Sequence, residues 1–432
     1  MHRVHQCITS PHEELCVFKN PNLEIGIEEK RWFEYRPTNA ITKNSPLEFD
    51  IKGSGEQYLD LKNSILALKV QILDGDGKDF TGEVIETGTD GTKTINSNYD
   101  VGPVNLFLHS IISQVEISFQ QEIVSNTRLY PYKSYLETLY YPYDVIKGET
   151  ELYVKDTPEH REETSIKGSN EGLFKRGART LGNKICDMEG NLHLDLFQQN
   201  RYLLNGVDMK IRMWPSTSEF CTLTTKTACT VKIVEAVLKI CKVSLRTDVF
   251  KHHENMLSNH DALYPFLKTQ IKTEELGKGL SSHTIENVFQ SKVPCHLIFG
   301  LVETKAFSGN LKKNPYNFQD CKLTSVGVYV NDIAVPHKPH TLDFNGKVNN
   351  TSSAYRSMFI NNPHLNLTRD EFEFGTTLFK YHLYDNHILQ EGNCKIQLTF
   401  GETLKNNMTL IILAKFPNTM TIDKDRAIHF NG

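Results

Sequence analysis

Asn191 to Met213 reads NLHLDLFQQNRYLLNGVDMKIRM, and the rhythm of that stretch decides the fold. In its last seven residues Val207, Met209, Ile211 and Met213 fall on one side, and Asp208, Lys210 and Arg212 on the other. A period of two puts one face of a strand in a core and the other in water, as in an antiparallel sheet. Asn205-Gly206 just upstream supplies the pair of residues that tolerate positive φ in a tight hairpin turn. Before it, Leu192, Leu194 and Leu196 interleave with His193 and Asp195 in the same rhythm. The sequence therefore predicts a β-sandwich hairpin with no obvious chemistry on it.

Working outward, strand signals begin at Leu47 with Phe49 and Ile51, and continue through Leu59, Leu61 and ILALKVQIL. Asp74 to Asn98 is a polar, Gly-rich loop. In VEISFQQEIV, Val115, Ile117 and Phe119 alternate with Glu116 and Ser118. One helix interrupts the strands: YKSYLETLYY after Pro131, with Leu136, Leu139 and Tyr140 at helical spacing and Pro142 as its stop. Charged sequence from Asp156 to Lys184 reads as a long excursion, and TVKIVEAVLKICKV from Thr230 as a long strand with apolar residues on both faces. The polar stretch Arg246 to Asn259 marks a domain boundary. A second strand series follows: LYPFLKTQIK, CHLIFGLVE, SVGVYVNDIAV with a turn at Asn331-Asp332, CKIQLTF and MTLIILAKF.

The two halves share no residue-level repeat, yet each offers about eight strands over about 180 residues, the size of an eight-stranded jelly roll. The expected fold is all-β: two eight-stranded antiparallel β-sandwiches with short helices in connecting loops. Residues 1–43, with Pro11, Pro21 and Pro37 and no clean periodicity, read as an N-terminal arm. Residues 44–245 form the first jelly roll, 246–417 the second, and 418–432 a C-terminal arm in which Met420 and Ile422 alternate with Thr421 and Asp423.

Size and composition agree with this layout. At 432 residues the chain suggests two or three domains. Hydrophobic residues at 39% and charged residues at 23% are ordinary for a globular protein. A net charge of −4 argues against a dedicated nucleic-acid binder. No apolar run is long enough to span a membrane, the most apolar being the strand-length MTLIILAKF from Met408. Met1 to Ser10 has no apolar segment of the kind a secretory signal needs. The nine cysteines are odd in number, scattered and without a CxxC pair, so reduced thiols are expected in an intracellular setting.

The chemistry is sparse. His193-Leu194-Asp195 on a jelly-roll strand would place an imidazole and a carboxylate on one face, two thirds of the triad that binds iron in cupin-type oxygenases. The flanking leucines instead predict that both side chains face solvent, so no metal, cofactor or catalytic residue is expected. DGDGKDFTGE from Asp74 lacks the glycine and the final acidic residue of a calcium loop. HHENMLSNH from His252 is not the HExxH of a zinc protease, and there is no GxSxG and no GxxxxGK[ST]. Lys175, Arg176 and Arg179 form a small basic cluster expected on a solvated loop.

Five segments, in order along nearly the whole chain, resemble the major capsid protein of Polinton (Maverick) elements and their virus relatives, the adintoviruses. They are RWFEYRPTNAI from Arg31, PLEFDIKGSGEQYLDL from Pro46, DLFQQNRYLLNGVDMKIRM from Asp195, GLVETKAFSGNLKKNPYNF from Gly300, and TIDKDR from Thr421. The resemblance implies a double jelly roll standing upright in a capsid wall. Three chains would make a homotrimeric pseudo-hexagonal block that tiles the facets of an icosahedral shell around a DNA genome, in a virion made inside the host cell. Partners would be neighbouring capsomers, a single jelly-roll penton protein at the vertices and minor capsid proteins, with double-stranded DNA enclosed only indirectly and the terminal arms acting between capsomers. The long loops (74–98, 157–184, 344–370) depart from the family pattern. Alternatives are a host-domesticated copy of such a gene, a cupin-like metalloenzyme using His193 and Asp195, and a carbohydrate-binding jelly-roll module.

Overall fold

The computed structural model describes residues 26–43, 45–53, 55–87, 93–140, 145–344, 350–360, 365–384 and 388–431. Period-two stretches become strands, and they come in the same order twice. The eight strands that build the two sheets of the first half, leaving aside short strands in separate two-stranded ladders, are β1 (Ile27–Tyr35), β2 (Leu47–Ile51), β3 (Gln57–Asp74), β4 (Ile112–Phe119), β5 (Glu122–Arg128), β6 (Cys186–Asn191), β7 (Met209–Pro215) and β8 (Cys229–Leu245). They form two four-stranded sheets, ordered β1-β8-β3-β6 and β2-β7-β4-β5. The next eight are β9 (Ala262–Leu276), β10 (Ser282–Ile285), β11 (His296–Glu303), β12 (Leu323–Val330), β13 (Ile333–Thr341), β14 (Leu378–His382), β15 (Cys394–Phe400) and β16 (Met408–Ile422). Their sheets run β9-β16-β11-β14 and β10-β15-β12-β13, the first pattern with eight added to every label. The fold is a double jelly roll, antiparallel in all these pairings, with a topological repeat that no residue-level repeat announces.

Side chains follow the alternation. Met209, Ile211 and Met213 of β7 are fully buried, as are Phe49 and Ile51 of its neighbour β2 and Val115, Ile117 and Phe119 of β4 on its other side. Asn331 and Asp332 both take positive φ (49° and 64°) and turn β12 into β13 as the sequence predicts, and Gln120-Gln121 (48° and 72°) do the same between β4 and β5. Helices occupy connections, among them α1 (Phe107–Ser110), α2 (Tyr130–Tyr140), α3 (Glu171–Thr180) and α4 (Thr247–Leu257). Helix α2 is the one expected after Pro131; its expected stop at Pro142 lies outside the described residues. One continuous hydrophobic core runs through both sandwiches.

Several expectations are corrected. Asn191 to Met213 is not a hairpin: β6 ends at Asn191 in one sheet and β7 begins at Met209 in the other, so the chain crosses the sandwich. Between them Asp195–Phe197 is a single 3-10 turn, because polar groups of α2 capture this backbone. Only Gly206 has positive φ (74°) in the Asn205-Gly206 turn, which leads into β7 instead of joining two paired strands. The expected N-terminal arm holds β1, which pairs with β8 from Ile27↔Leu245 to Tyr35↔Leu238 and is one of the first roll's eight strands. The expected C-terminal arm is cut from the middle of a strand. β16 runs to Ile422 paired with β9 throughout, and Met420 and Ile422 are buried. The tail then folds back: β17 (Ile428–Asn431) pairs with β16, and Arg426 donates to the Asn205 carbonyl (2.9 Å) and pairs with Glu254 of α4 (2.8 Å).

Candidate functional site

Helix α2 is the centre of the molecule's polar chemistry. All eleven of its residues are buried. An apolar helix would do this at no cost, but α2 carries Lys133 and Glu137, one turn apart on the same face, and buried charges require partners. The helix is wedged between the two jelly rolls. Tyr135 stacks on Tyr316 of the second half (ring centroids 4.2 Å, 10° between planes), and the Tyr316 hydroxyl lies 2.6 Å from Ser110 Oγ at the end of α1.

The charged face meets the Leu192–Asp195 backbone. The Lys133 ammonium donates to the His193 carbonyl (2.8 Å) and pairs with Asp195 (2.7 Å). Asp195 also accepts from the backbone N–H (2.8 Å) and hydroxyl (2.7 Å) of Thr269 on β9, so this carboxylate of the first roll is held by the second. Glu137 faces Lys415 of β16 (2.8 Å) and accepts from Gln198 (2.7 Å), and its Oε2 lies 3.2 Å from His193 Nδ1. Burial pushes the Glu137 carboxyl up, but Lys133, Lys415 and the His193 hydrogen bond outweigh it and hold it well below the usual carboxylate range. The His193 N–H donates to the Tyr130 hydroxyl (3.2 Å), which lies 2.9 Å from His109 Nδ1. Burial pushes the Tyr130 phenol up, so it stays neutral.

A second tie lies in the excursion from Asp156. Arg176 on α3, expected on a solvated loop, is fully buried: it pairs with Asp156 (2.6 Å) and donates to the Pro103 carbonyl (2.9 Å). Lys175 and Arg179 are exposed and pair with Glu171 and Glu149. Asp156 also accepts from Asn314 of the second half (3.0 Å), while Arg161 donates to the Gly375 carbonyl (3.1 Å). Burial raises the Asp156 carboxyl, and Arg176 with Arg161 more than reverses this, holding it below its ordinary value.

His193 and Asp195 are therefore not on a solvent face; they are 5% and 6% exposed. The leucines beside them do not define a strand face, because the segment pairs with no strand and its backbone is held by α2. The structure does not bring the two together as a metal pair either: Asp195 is engaged by Lys133 and Thr269, while His193 turns to Glu137 and Thr138. Sequence reasoning missed Lys133, Glu137, Lys415, His109 and Glu151. Two charges one turn apart among the tyrosines and leucines of YKSYLETLYY were the available signal. With its carboxylates paired to ammonium groups, this network is built to join the two rolls rigidly. The seven described cysteines form no disulfide; Cys7 and Cys16 lie outside the described residues. No helix among the described residues is long and apolar enough to cross a membrane.

Comparison with known proteins places the fold. No protein-family model matches the chain. An uncharacterized protein of Caenorhabditis elegans is 23% identical over 427 residues, covering 93% of this chain and 97% of its own. Among solved structures, a chain of the Sputnik virophage aligns over 100% of this chain and 93% of its own, with a TM-score of 0.68 and 13% identity. The major capsid protein of mavirus aligns over 100% and 96% (TM-score 0.55, 8% identity), and that of Faustovirus over 93% and 92% (0.54, 9%). The neighbours include viral double jelly-roll major capsid proteins, and the shared property is the fold along the whole chain.

Proposed function

We propose that this chain is a major capsid protein of the Polinton kind, acting as a structural building block and not as an enzyme. The observation that carries the reading is the repetition of one strand order in two consecutive sandwiches joined by a buried wedge. A single chain of this build is an upright two-lobed block, and three copies around an axis give six lobes with a near-hexagonal outline. Apolar side chains left on the outside support association: Trp32 on β1 is 50% exposed and Ile123 on β5 is 58% exposed. The similarity to a nematode protein along nearly the whole chain suits a gene resident in a host genome. In the assembled virion its partners would be neighbouring capsomers, a penton protein and minor capsid proteins, with the DNA genome enclosed rather than gripped. A cupin-like activity draws no support from Asp195, whose oxygens are taken up by Lys133 and Thr269.

Light scattering on the purified protein tests this. Three chains of 49.4 kDa predict a species of about 148 kDa, and negative-stain microscopy should show pseudo-hexagonal particles. A stable monomer at micromolar concentration and neutral pH overturns the reading. The nematode relative also suits a copy retained by a host. A packaging ATPase, protease or type B polymerase gene beside this one indicates a resident element; an isolated gene indicates domestication.

A further inference from the structure

We propose that His109, His193 and Glu151 form a binding site for one divalent transition-metal ion, of which zinc is the best match. The three residues come from three connections of the first roll: α1, the segment preceding the Asp156 excursion, and the crossing between β6 and β7. All are buried, and one imidazole nitrogen from each histidine and a Glu151 carboxylate oxygen lie within 4.8 Å of one another. The two imidazole rings meet edge to face with centroids 4.8 Å apart. His109 Nε2 is fully buried and makes no hydrogen bond, yet it stands 3.4 Å from Glu151 Oε2. Zinc ligands at about 2.0–2.1 Å in a tetrahedron are about 3.3–3.4 Å apart, so this pair already spans one edge.

The surroundings orient both rings as ligands. His193 Nδ1 lies 3.2 Å from Glu137 Oε2, a carboxylate held ionised by Lys133 and Lys415. Donation of Nδ1–H to it makes Nε2 the acceptor nitrogen, which the Thr138 hydroxyl faces at 3.3 Å and which an ion would take over, the arrangement by which carboxylates fix metal-bound imidazoles. The Tyr130 oxygen accepts the His193 N–H and has a second lone pair for His109 Nδ1–H, which leaves His109 Nε2 bare. Charge points in the same direction. Glu151 brings a carboxylate to the two imidazoles, so an ion bound there would meet a negative ligand. Two imidazoles and a carboxylate suit zinc, with the remaining position open to a water. The ion would tie the three connections beneath α2. The expectation of no metal rested on His193 facing solvent, which it does not.

The test uses the full-length protein, saturated with Zn2+ and dialysed against metal-free buffer. About one zinc per chain should remain by elemental analysis, the thermal midpoint should fall on chelation, and zinc should restore it. His109→Gln and Glu151→Gln should lose the ion, while His252→Ala on α4 should retain it. Should either glutamine variant fail to fold, X-ray absorption on the zinc-loaded wild type decides: the proposal requires nitrogen and oxygen ligands with an imidazole signature and no sulfur. Wild-type protein that retains no zinc overturns it, as do folded glutamine variants that keep the metal, or a sulfur-ligated ion. A midpoint indifferent to zinc but falling when His109 is replaced assigns His109 a packing role alone, and likewise overturns it.

Discussion

Replacing Asp195 by alanine should weaken the junction between the two jelly rolls more than any surface change. The substitution removes the nearest carboxylate from Lys133, which is fully buried and would be left with Glu137 at 3.9 Å, and strands the Thr269 N–H and hydroxyl. Breaking one side of a buried ion pair costs about 3–5 kcal/mol. An unpartnered Thr269 donor adds about 1 kcal/mol. The expected loss is therefore roughly 4–6 kcal/mol. Unfolding entropy of about 2.1 cal/mol/K per residue gives roughly 0.9 kcal/mol/K for a chain of this length, so the thermal midpoint should fall by about 5 °C. Calorimetry of wild type, Asp195→Ala, Lys133→Met and the double variant Lys133→Met/Asp195→Leu completes the comparison. The double variant should recover most of the loss, since it removes both buried charges together. A single variant within about 1 °C of wild type, or a double variant no better than the single, would refute the assignment of Lys133 and Asp195 as a coupled pair.

Four further outcomes are expected. Glu137 titrates below the ordinary range when folded, so its contribution is complete above the unfolded value of roughly pH 4 and is lost as pH falls toward the folded one; the midpoint difference between wild type and Glu137→Gln should shrink on acidification below about pH 4. Gly206→Val forces a branched side chain to φ +74° with its Cβ 3.2 Å from Arg426 Nε, and denaturant unfolding should register a loss of about 1–3 kcal/mol. Deleting residues 418–432 removes the buried end of β16, so aggregated protein is expected, and soluble, folded trimers would contradict the pairing with β9. Burial pushes the Cys186 thiol up to about 11 and those of Cys321 and Cys394 to about 12, so alkylation at pH 8 should be slow in native protein and should reach all nine cysteines in denaturant without reductant.

What the sequence disclosed followed from local periodicity. β7, β11, β12 and β16 bury one or both faces in a core, so their apolar spacing is visible in a short window. β1 was illegible for the opposite reason. IEEKRWFEY is exposed along almost its whole length, and only its backbone pairing with β8 makes it a strand. The β16 tail did alternate at Met420 and Ile422, but a strand continuing past Pro417 looks like an arm unless its partner β9 is known. His193 and Asp195 show the limit most clearly. Their alternation with leucines imitates a strand, while their burial depends on Lys133, some sixty residues away, and on Thr269 and Lys415 from the other roll. Long-range charge pairing leaves no period in a sequence.

The pairing of Arg426 with Asn205 and Glu254 bears on how the chain is made. Synthesis proceeds at about 5–20 residues per second, and domains fold as they emerge. The first jelly roll, complete at Leu245, can therefore close long before its latch exists. Until β9 and β16 follow, Asp195 lacks Thr269 and Glu137 lacks Lys415, so a nascent first roll carries under-compensated charges at the face that will receive the second. That face is disfavoured from burying itself against another nascent chain, where the charges would find no partners. Arg426, made after both rolls, thus fastens the first to the second only when both are present.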